Sequence, residues 1–518
     1  MEKQHWAYSA ANRIIKEKGK KKLYVCASGI SPSGTVHIGN FREIVTTYFI
    51  SKALKDIGEK SKFIYSWDDF DPFRKVPKNV PDEFSKYIGR SYSDIPDPFK
   101  CHKTYAEHFE KELESGIKDL KFKVEFIKQN KMYKSGKYVE GIKQSLDNKY
   151  KIINILNKYR KEPLADSWVP LNVYCEKCKK IADVNDYDGN YSVGYECSCG
   201  HSGSVNFSKK FIVKLPWRVD WPMRWNYENV DFEPGGKDHS TMGGSYDTGK
   251  QIIKEIWNKE APTYQRYDFV TLKGKGGKIS SSAGTTLTVT QLLEVYEPNV
   301  MMWLFAGIRP DAEFAISFDL DVIKLYEDFD KCERIYFNKE KAGNEKDEKN
   351  QKGIYFMSYI GKIPKKMPLQ IPFRHMTTLI QIYEGNINNM AKDLNVKKSD
   401  LSKVKIRAKC ALNWLEKYAP DDFKFNINDN ISKQIKDRLD AKQINALKTL
   451  LNKLKSRNYN EQELFDEFYN ICSELKLENT KFFEGVYLAI IGKVKGPKLA
   501  NFILTIGKSR IIKILEQL

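Results

Sequence analysis

The feature that most constrains the fold is a handover from strand to helix near the start of the chain. Residues 23–27 form a short apolar run of strand type. A Gly/Ser/Pro loop follows over 28–36, and then Ile38, Phe41, Ile44, Val45, Tyr48 and Phe49 recur at helical spacing to about Gly58. A second strand-like run, 62–67, ends in Asp68-Asp69-Phe70-Asp71. Strand, crossover helix and second strand make a parallel βαβ unit, whose ligands sit at the C-terminal strand ends. The loop at 29–34 and the acid cluster both fall there. A helix opening at His37 and Gly39 presents unpaired N–H groups and a partial positive charge, which suit a phosphate. His37 can add a proton or a hydrogen bond, and Gly39 lets a flat ring lie against the backbone. The competing readings are an ordinary capped βα turn, since Gly-rich ones are common, and a solvated acidic turn before Pro72.

At 518 residues the chain is too long for one core, so two to four domains are expected. The net charge of +20 favours a polyanionic partner, nucleic acid first. The basic residues are spread widely, so a Lys-rich background composition competes and charge alone locates no binding face. The first residues carry no apolar signal core, and no run of about 18 apolar residues is present, so no membrane span is expected; an anionic membrane is the second reading of the charge but is not among the expected partners. Nine cysteines, five of them scattered, fit a reduced cytoplasmic protein.

From about residue 95 to 204 the composition changes. Helical patterns at about 103–119 and 137–158 precede Cys175-x-x-Cys178 and, after a hairpin-length segment, Cys197-Ser198-Cys199-Gly200-His201. Two short cysteine pairs at this spacing suit a closed, structural, tetrahedral zinc site. Cys175, Cys178 and Cys197 are expected ligands, with Cys199 as the fourth and His201 as its alternative. Strand-like residues 211–215 are expected to return the chain to the first domain.

Trp217, Trp221 and Trp225 follow, and then a loop over 235–245 with four glycines, Asp238 and His239, which reads as a ligand loop. Residues 244–250 mimic a P-loop, but Gln251 stands where Ser or Thr should hold Mg²⁺ and no apolar strand feeds into it, so that reading is rejected. Residues 266–272 read as another strand, running into a basic, hydroxyl-rich loop over 273–284 that suits a polyphosphate. Beyond about 290 the pattern is almost wholly helical, with a linker at 361–366.

Taken together, these segments resemble a known family. The loop ending in His37-Ile38-Gly39-Asn40 resembles the HIGH signature of class I aminoacyl-tRNA synthetases, and Lys278-Ile279-Ser280-Ser281-Ser282 resembles their KMSKS signature, about 240 residues downstream with a cysteine-bearing insertion between. Within that class the chain resembles the lysyl enzymes through 29–43, 95–98, 105–109, 232–239, 243–249, 326–330, 487–489 and 492–498.

The resemblance implies a multidomain α/β plus all-α architecture. A discontinuous Rossmann-type parallel-sheet catalytic domain would span 1–95 and 205–290. An inserted connective domain would span 96–204, with the zinc module at about 172–203. A helical stem-contact region over 291–360 and an α-helical anticodon-binding domain over 361–518 would follow. It also implies ATP with Mg²⁺, L-lysine and tRNA(Lys) as partners of a monomer. His37, Asn40 and Lys278 would be catalytic. Ser33, His37, Gly39, Asn40, Gly236, Asp238, Lys275, Lys278, Ser280 and Ser281 would hold ATP. Gly29, Ser31, Glu43, Asp68, Trp221, His239 and Tyr267 would surround lysine. The lysine ammonium needs a carboxylate or an aromatic face, and Glu43, Asp68 and Asp238 are the acidic candidates.

Asn40 replaces the second histidine of the first signature, and Ser281 replaces a lysine of the second, which puts more weight on His37 and Lys278. Synthetases for Glu, Gln, Cys or Arg, a small-molecule adenylyltransferase and a non-catalytic tRNA-binding paralogue are the alternatives.

Overall fold

β1 (Tyr24–Ile30) runs through the middle of a parallel sheet, and Tyr24 to Ser28 are buried without alternation because both faces are covered. The structure is a computed structural model that describes residues 4–278 and 287–518, with Lys275–Lys278 described by its backbone. α1 (Ile38–Asp56) follows the loop; its inner face carries Phe41, Ile44, Val45, Phe49 and Leu54. β2 (Ser61–Trp67) then pairs with β1 in register from Tyr24↔Ser61 to Ile30↔Trp67. α2 (Tyr105–Asp119), capped by Thr104, leads to β3 (Glu125–Lys128), which pairs with β2. β3 is thus a sheet strand inside the segment expected to be inserted.

α3 (Trp217–Glu228) carries Trp217, Trp221 and Trp225 four residues apart and so on one face. Trp221 and Trp225 pack on Val25, Ala27 and Ile64, together with Ile253 of α4 (Ser245–Trp257). β4 (Phe232–Gly236) lies on the other side of β1, and β5 (Thr263–Tyr267) lies outside β4. The order is β5-β4-β1-β2-β3, all parallel. The chain steps outward through β2 and β3, then returns to the far side of β1. That reversal opens a crevice at the C-terminal ends of β1 and β4.

A separate antiparallel sheet carries the cysteine pairs, in the order Ser202–Asn206, Ser192–Glu196, Ile181–Tyr187, Asn172–Tyr174, Val213–Lys214. The run at 211–215 therefore closes this sheet as its edge. The expected strand over 266–272 is broken: the Asp268 N–H turns away to Pro310 O at 2.9 Å, and Val270–Leu272 joins a small sheet with Lys275–Lys278 and Phe314–Ile316.

The chain divides into two units, one of Met1–Leu293, Pro298–Ser317 and Cys332–Lys365, the other of Glu294–Glu297, Phe318–Lys331 and Lys366–Leu518. The second unit is helical, around Leu450, Phe468, Ile471, Val486 and Ile503. Capping boxes start two of its helices, Asp440 with Gln443 and Asn460 with Glu463. Among the described residues no helix is long and apolar enough to cross a membrane.

Candidate active site

The loop after β1 is held from both sides. Tyr105 of α2 donates its hydroxyl to Ser33 O at 2.9 Å, and Ser31 Oγ donates to Asp71 at 3.0 Å. His37 is the N-cap of α1, and its Nδ1 accepts from the Gly39 N–H at 3.1 Å. With Nδ1 an acceptor, the ring proton of neutral His37 sits on Nε2. A Cβ on Gly39 would lie 2.9 Å from that ring, so glycine is what lets the imidazole fold back over the helix start. Asn40 lies in the same first turn, half-buried, and Ser33 is exposed on the loop. This part of the crevice presents helix N–H groups, an imidazole and an amide.

Its other part is acidic. Gly29 packs so tightly on β2 that a Cβ would lie 2.6 Å from Ser66 O. The Gly29 N–H instead donates to Glu43 Oε1 at 3.0 Å, and Tyr267 donates its hydroxyl to Glu43 Oε2 at 2.7 Å. Burial pushes the Glu43 carboxyl up to about 8, against those two hydrogen bonds. Glu233 of β4 accepts from Trp225 Nε1 at 2.5 Å, and burial pushes it up to about 7. Asp68 pairs with Arg224 Nη1 at 2.5 Å; burial still lifts it to about 6, and Arg224 opposes the rise. Arg224 Nε lies 3.2 Å from Asp220, and Lys214 bridges Asp220 and Asp71 at 2.8 and 3.2 Å. Asp68, Asp71, Asp220, Glu43 and Glu233 thus stand against two cations, Lys214 and Arg224.

A cavity of about 30 Å³ opens here between Gly29, Asp68, Trp221, Arg224 and Glu233. That is room for one water or one ammonium group. The buried Ser28 hydroxyl, also on its wall, has no hydrogen-bond partner among the described residues.

Of the residues expected around lysine, the structure joins Gly29, Glu43 and Tyr267 by hydrogen bonds and sets the His239 ring 5.8 Å from Trp221. Ser31 is tied to Asp71, and Asp68 is engaged by Arg224. Asp238 is exposed on the turn Lys237–His239 after β4, next to Gly236. Lys275 and Lys278 belong to a strand described by backbone pairing, and Ser280 and Ser281 lie outside the described residues. Sequence reading missed Glu233, Arg224, Lys214 and Asp220. Lys214 lies in the strand-like run 211–215 and Glu233 in the matched segment 232–239, but nothing in their spacing shows that the fold sets Lys214 against Asp220 and Glu233 beside Arg224 and Asp68.

The four cysteines converge. Cys175 Sγ lies 3.8 Å from Cys199 and Cys178 Sγ 3.5 Å from Cys197, and all four sulfurs lie within 4.8 Å of one another. Sulfurs about 3.8 Å apart are what a tetrahedron with 2.3 Å metal–sulfur bonds requires, so the set fits zinc. Cys199, not His201, completes the four. A second group was not anticipated: Asp97, Cys101, His102 and His108, also within 4.8 Å, form a mixed O/S/N set able to hold a cation of the same class. Cys101 Sγ lies 3.2 Å from both His102 Nδ1 and His108 Nδ1.

Residues 4–360 match the family model described as tRNA synthetases class I (K), and residues 388–518 match one described as an anticodon binding domain. A protein of Borreliella burgdorferi named lysine–tRNA ligase is 45% identical over 526 residues, covering 100% of both chains. Proteins of that name from Treponema pallidum (99% of this chain, 98% of the relative) and Pyrococcus furiosus (99% of each) are both 41% identical. On these matches the chain belongs to the class I lysyl-tRNA synthetase family.

Proposed function

We propose that the protein ligates L-lysine to tRNA(Lys) through a lysyl-adenylate, as a cytoplasmic monomer. The observation that carries this is the pairing of opposite environments in one crevice. A helix start that suits phosphate adjoins a basin in which five carboxyl groups face two cations. An ammonium group entering that basin favours the ionised form of Glu43 and Glu233, whereas a substrate carboxylate would meet only cations that Asp68, Asp71 and Asp220 already engage.

In the first step a lysine carboxylate oxygen attacks the α-phosphorus of ATP, and the bond to the β-phosphate breaks, releasing diphosphate. His37 Nε2–H, Asn40 and the α1 N-terminus donate to phosphate oxygens, and Lys275 and Lys278 neutralise charge as it builds. Gly236 gives backbone access and Asp238 accepts from the ribose hydroxyls; Ser33, Ser280 and Ser281 complete the ATP contacts. Mg²⁺ would arrive on the ATP phosphates. Gly29, Ser31 and His239 orient the amino acid. The lysine stem lies along Trp221, and its ammonium enters the cavity toward Glu43, which Tyr267 steadies, with Glu233 and Asp68. In the second step the terminal ribose hydroxyl of the tRNA attacks the lysyl carbonyl, and AMP leaves. Cys175, Cys178, Cys197 and Cys199 would hold a structural zinc that fixes the hairpins of their module. The division proposed is a catalytic domain interrupted by the connective insertion, a stem-contact region, and an anticodon-binding domain.

ATP–diphosphate exchange measured across single amino acids, with and without tRNA(Lys), tests the reading. Exchange with lysine is expected. Exchange with glutamate or arginine and not with lysine would overturn it.

A further inference from the structure

A lysine buried in a core is costly unless its charge is answered, and Lys214 is answered from outside its own sheet. It stands in Val213–Lys214, the edge strand of the cysteine-bearing sheet, paired with Asn172, and its side chain is 3% exposed. Val213 and Leu215 on either side of it pack in one core with Cys175 and Cys197. The Lys214 ammonium leaves that core for the crevice. Its Nζ lies 2.8 Å from Asp220 and 3.2 Å from Asp71, and 5.1 Å over the Tyr133 ring. Burial opposes the charge, but Asp220 and Asp71 hold the ammonium above its ordinary value, so it stays cationic.

Each of these acids leads on to the lysine site. The other oxygen of Asp71 accepts from Ser31 Oγ at 3.0 Å. Asp220 lies 3.2 Å from Arg224 Nε, and Arg224 Nη1 reaches Asp68 at 2.5 Å. Tyr133 donates its hydroxyl to the second oxygen of Asp220 and fixes that carboxylate from the far side. A second tie runs beside the first. Tyr174, the residue before Cys175, is buried and donates its hydroxyl to Phe70 O at 2.5 Å. Its backbone N–H donates to Ile212 O at 2.8 Å, so Tyr174 and Lys214 belong to one strand pair. The acid turn at 68–71 is therefore gripped twice by the cysteine-bearing sheet, at Phe70 O and at Asp71. A charge cluster that served packing alone would close on itself; this one ends on Ser31 and Asp68.

We infer that Lys214 and Tyr174 are positioning residues for the amino acid: through them the cysteine-bearing sheet sets Asp71 against Ser31 and, by way of Asp220 and Arg224, sets Asp68 at the ammonium cavity. The inference rests on the lysine-activation reading above and adds to it a dependence of lysine affinity on the zinc module. Charge and position predict opposite signs here. Lys214 is a cation beside a site for a cation, so loss of its charge alone would strengthen the pull on the substrate ammonium. Loss of its grip frees Asp71 and Asp220 to turn away and weakens binding.

The test is calorimetric titration of the zinc-loaded, full-length protein with lysine and, separately, with ATP. Lys214→Met should weaken lysine about tenfold and leave ATP within about twofold, the mark of a misplaced amino-acid site. Lys214→Arg should recover most of that loss. Tyr174→Phe keeps its ring in the core, removes one hydrogen bond, and should weaken lysine about threefold; it decides the matter if Lys214→Met does not fold. Coupling is reciprocal, so saturating lysine should raise the affinity of the four cysteines for zinc about fivefold, read by competition with a chelator. Arginine at equal concentration controls for metal binding by the free amino acid. Lysine held as tightly as in wild type, or more tightly, by the folded variants would overturn the inference. Equal losses for lysine and ATP would overturn it too, as would a zinc affinity indifferent to lysine. If the wild-type protein supports no exchange with lysine, the lysine reading fails; if it does and the variants bind lysine as wild type does, only this positioning role fails.

Discussion

Arg224 and Arg407 are both buried between acids, and their surroundings differ in what lies beyond those acids. Arg407, in the helical unit, donates Nε to Glu297 at 2.5 Å, grips Asp330 with Nη1 and Nη2 at 2.9 Å each, and gives Nη1 also to Ile371 O at 2.8 Å. Its side chain is 2% exposed and lies over the Tyr326 ring. That knot is complete in itself. Arg224 answers Asp68 and Asp220, but past it Glu43 and Glu233 accept from neutral donors: a backbone N–H, a phenol and an indole. Burial of ionisable groups is common to both regions. An excess of acid held by neutral donors is particular to the crevice, and it distinguishes a site shaped for a cation from a charge cluster that holds helices together.

The largest expected effect falls on the closed knot. Arg407→Met leaves two carboxylates buried without their cation and should lower the stability of the helical unit by about 3–5 kcal/mol. Urea unfolding would read it, and the KM for lysine should stay unchanged while the protein is folded. Unchanged stability, or a raised lysine KM, would erase the distinction drawn here. The crevice should respond in the opposite way. Glu43→Gln, or Glu233→Gln, should lower kcat/KM for lysine roughly 10²-fold, the scale of truncating a buried charge partner. Stability at pH 8 should hold or rise, since an ionised buried carboxyl is replaced by an amide. A loss of stability equal to that of Arg407→Met would make these acids structural.

Titration separates the regions further. An unfolded glutamate has lost its proton by about pH 5.5. Native Glu233 keeps its proton to about 7 and native Glu43 to about 8. Between those limits the native state holds more protons than the unfolded one, so stability without lysine should fall as pH rises from 5 to 8. Lysine binding should run the other way and tighten about tenfold from pH 6 to 8, because an ammonium pairs with the ionised carboxyls. Calorimetric titration of lysine against pH checks this; a flat profile would remove Glu43 and Glu233 from the ammonium site.

The parts of this arrangement differ in how far they could be read from sequence. The loop after β1 and the cysteine pairs were legible because their chemistry is local: strand, loop and helix are consecutive, and each cysteine pair spans one tight turn. Asp97, Cys101, His102 and His108 are nearly as close in sequence, yet an aspartate and a histidine pair at that spacing form no familiar signature. The acid basin was half visible. Glu43 and Asp68 came through family resemblance, whereas Glu233 and Arg224 depend on a sheet order that places β4 beside β1 and on α3 covering both. Arg407 was invisible, since its partners are 110 and 77 residues away. Residues 211–215 misled because an apolar run of strand type does not say which sheet it joins.

The smallest expected effect gives the finest resolution. Tyr267 donates to Glu43 at 2.7 Å and favours the ionised carboxyl against the burial that opposes it. Tyr267→Phe keeps the ring and removes one hydrogen bond to a charge, worth about 1.5–3 kcal/mol gross and less once the Gly29 N–H and solvent compensate. Lysine should then bind roughly three- to tenfold more weakly at pH 7, and the rising limb of its pH profile should move to higher pH, with stability little changed. The pH shift is the part that matters, because a loss of mere packing would weaken binding equally at every pH. In the Glu43→Gln background Tyr267→Phe should cost almost nothing further, since the charge its hydroxyl serves is gone. Full additivity of the two substitutions would mean that Tyr267 acts on lysine independently of Glu43.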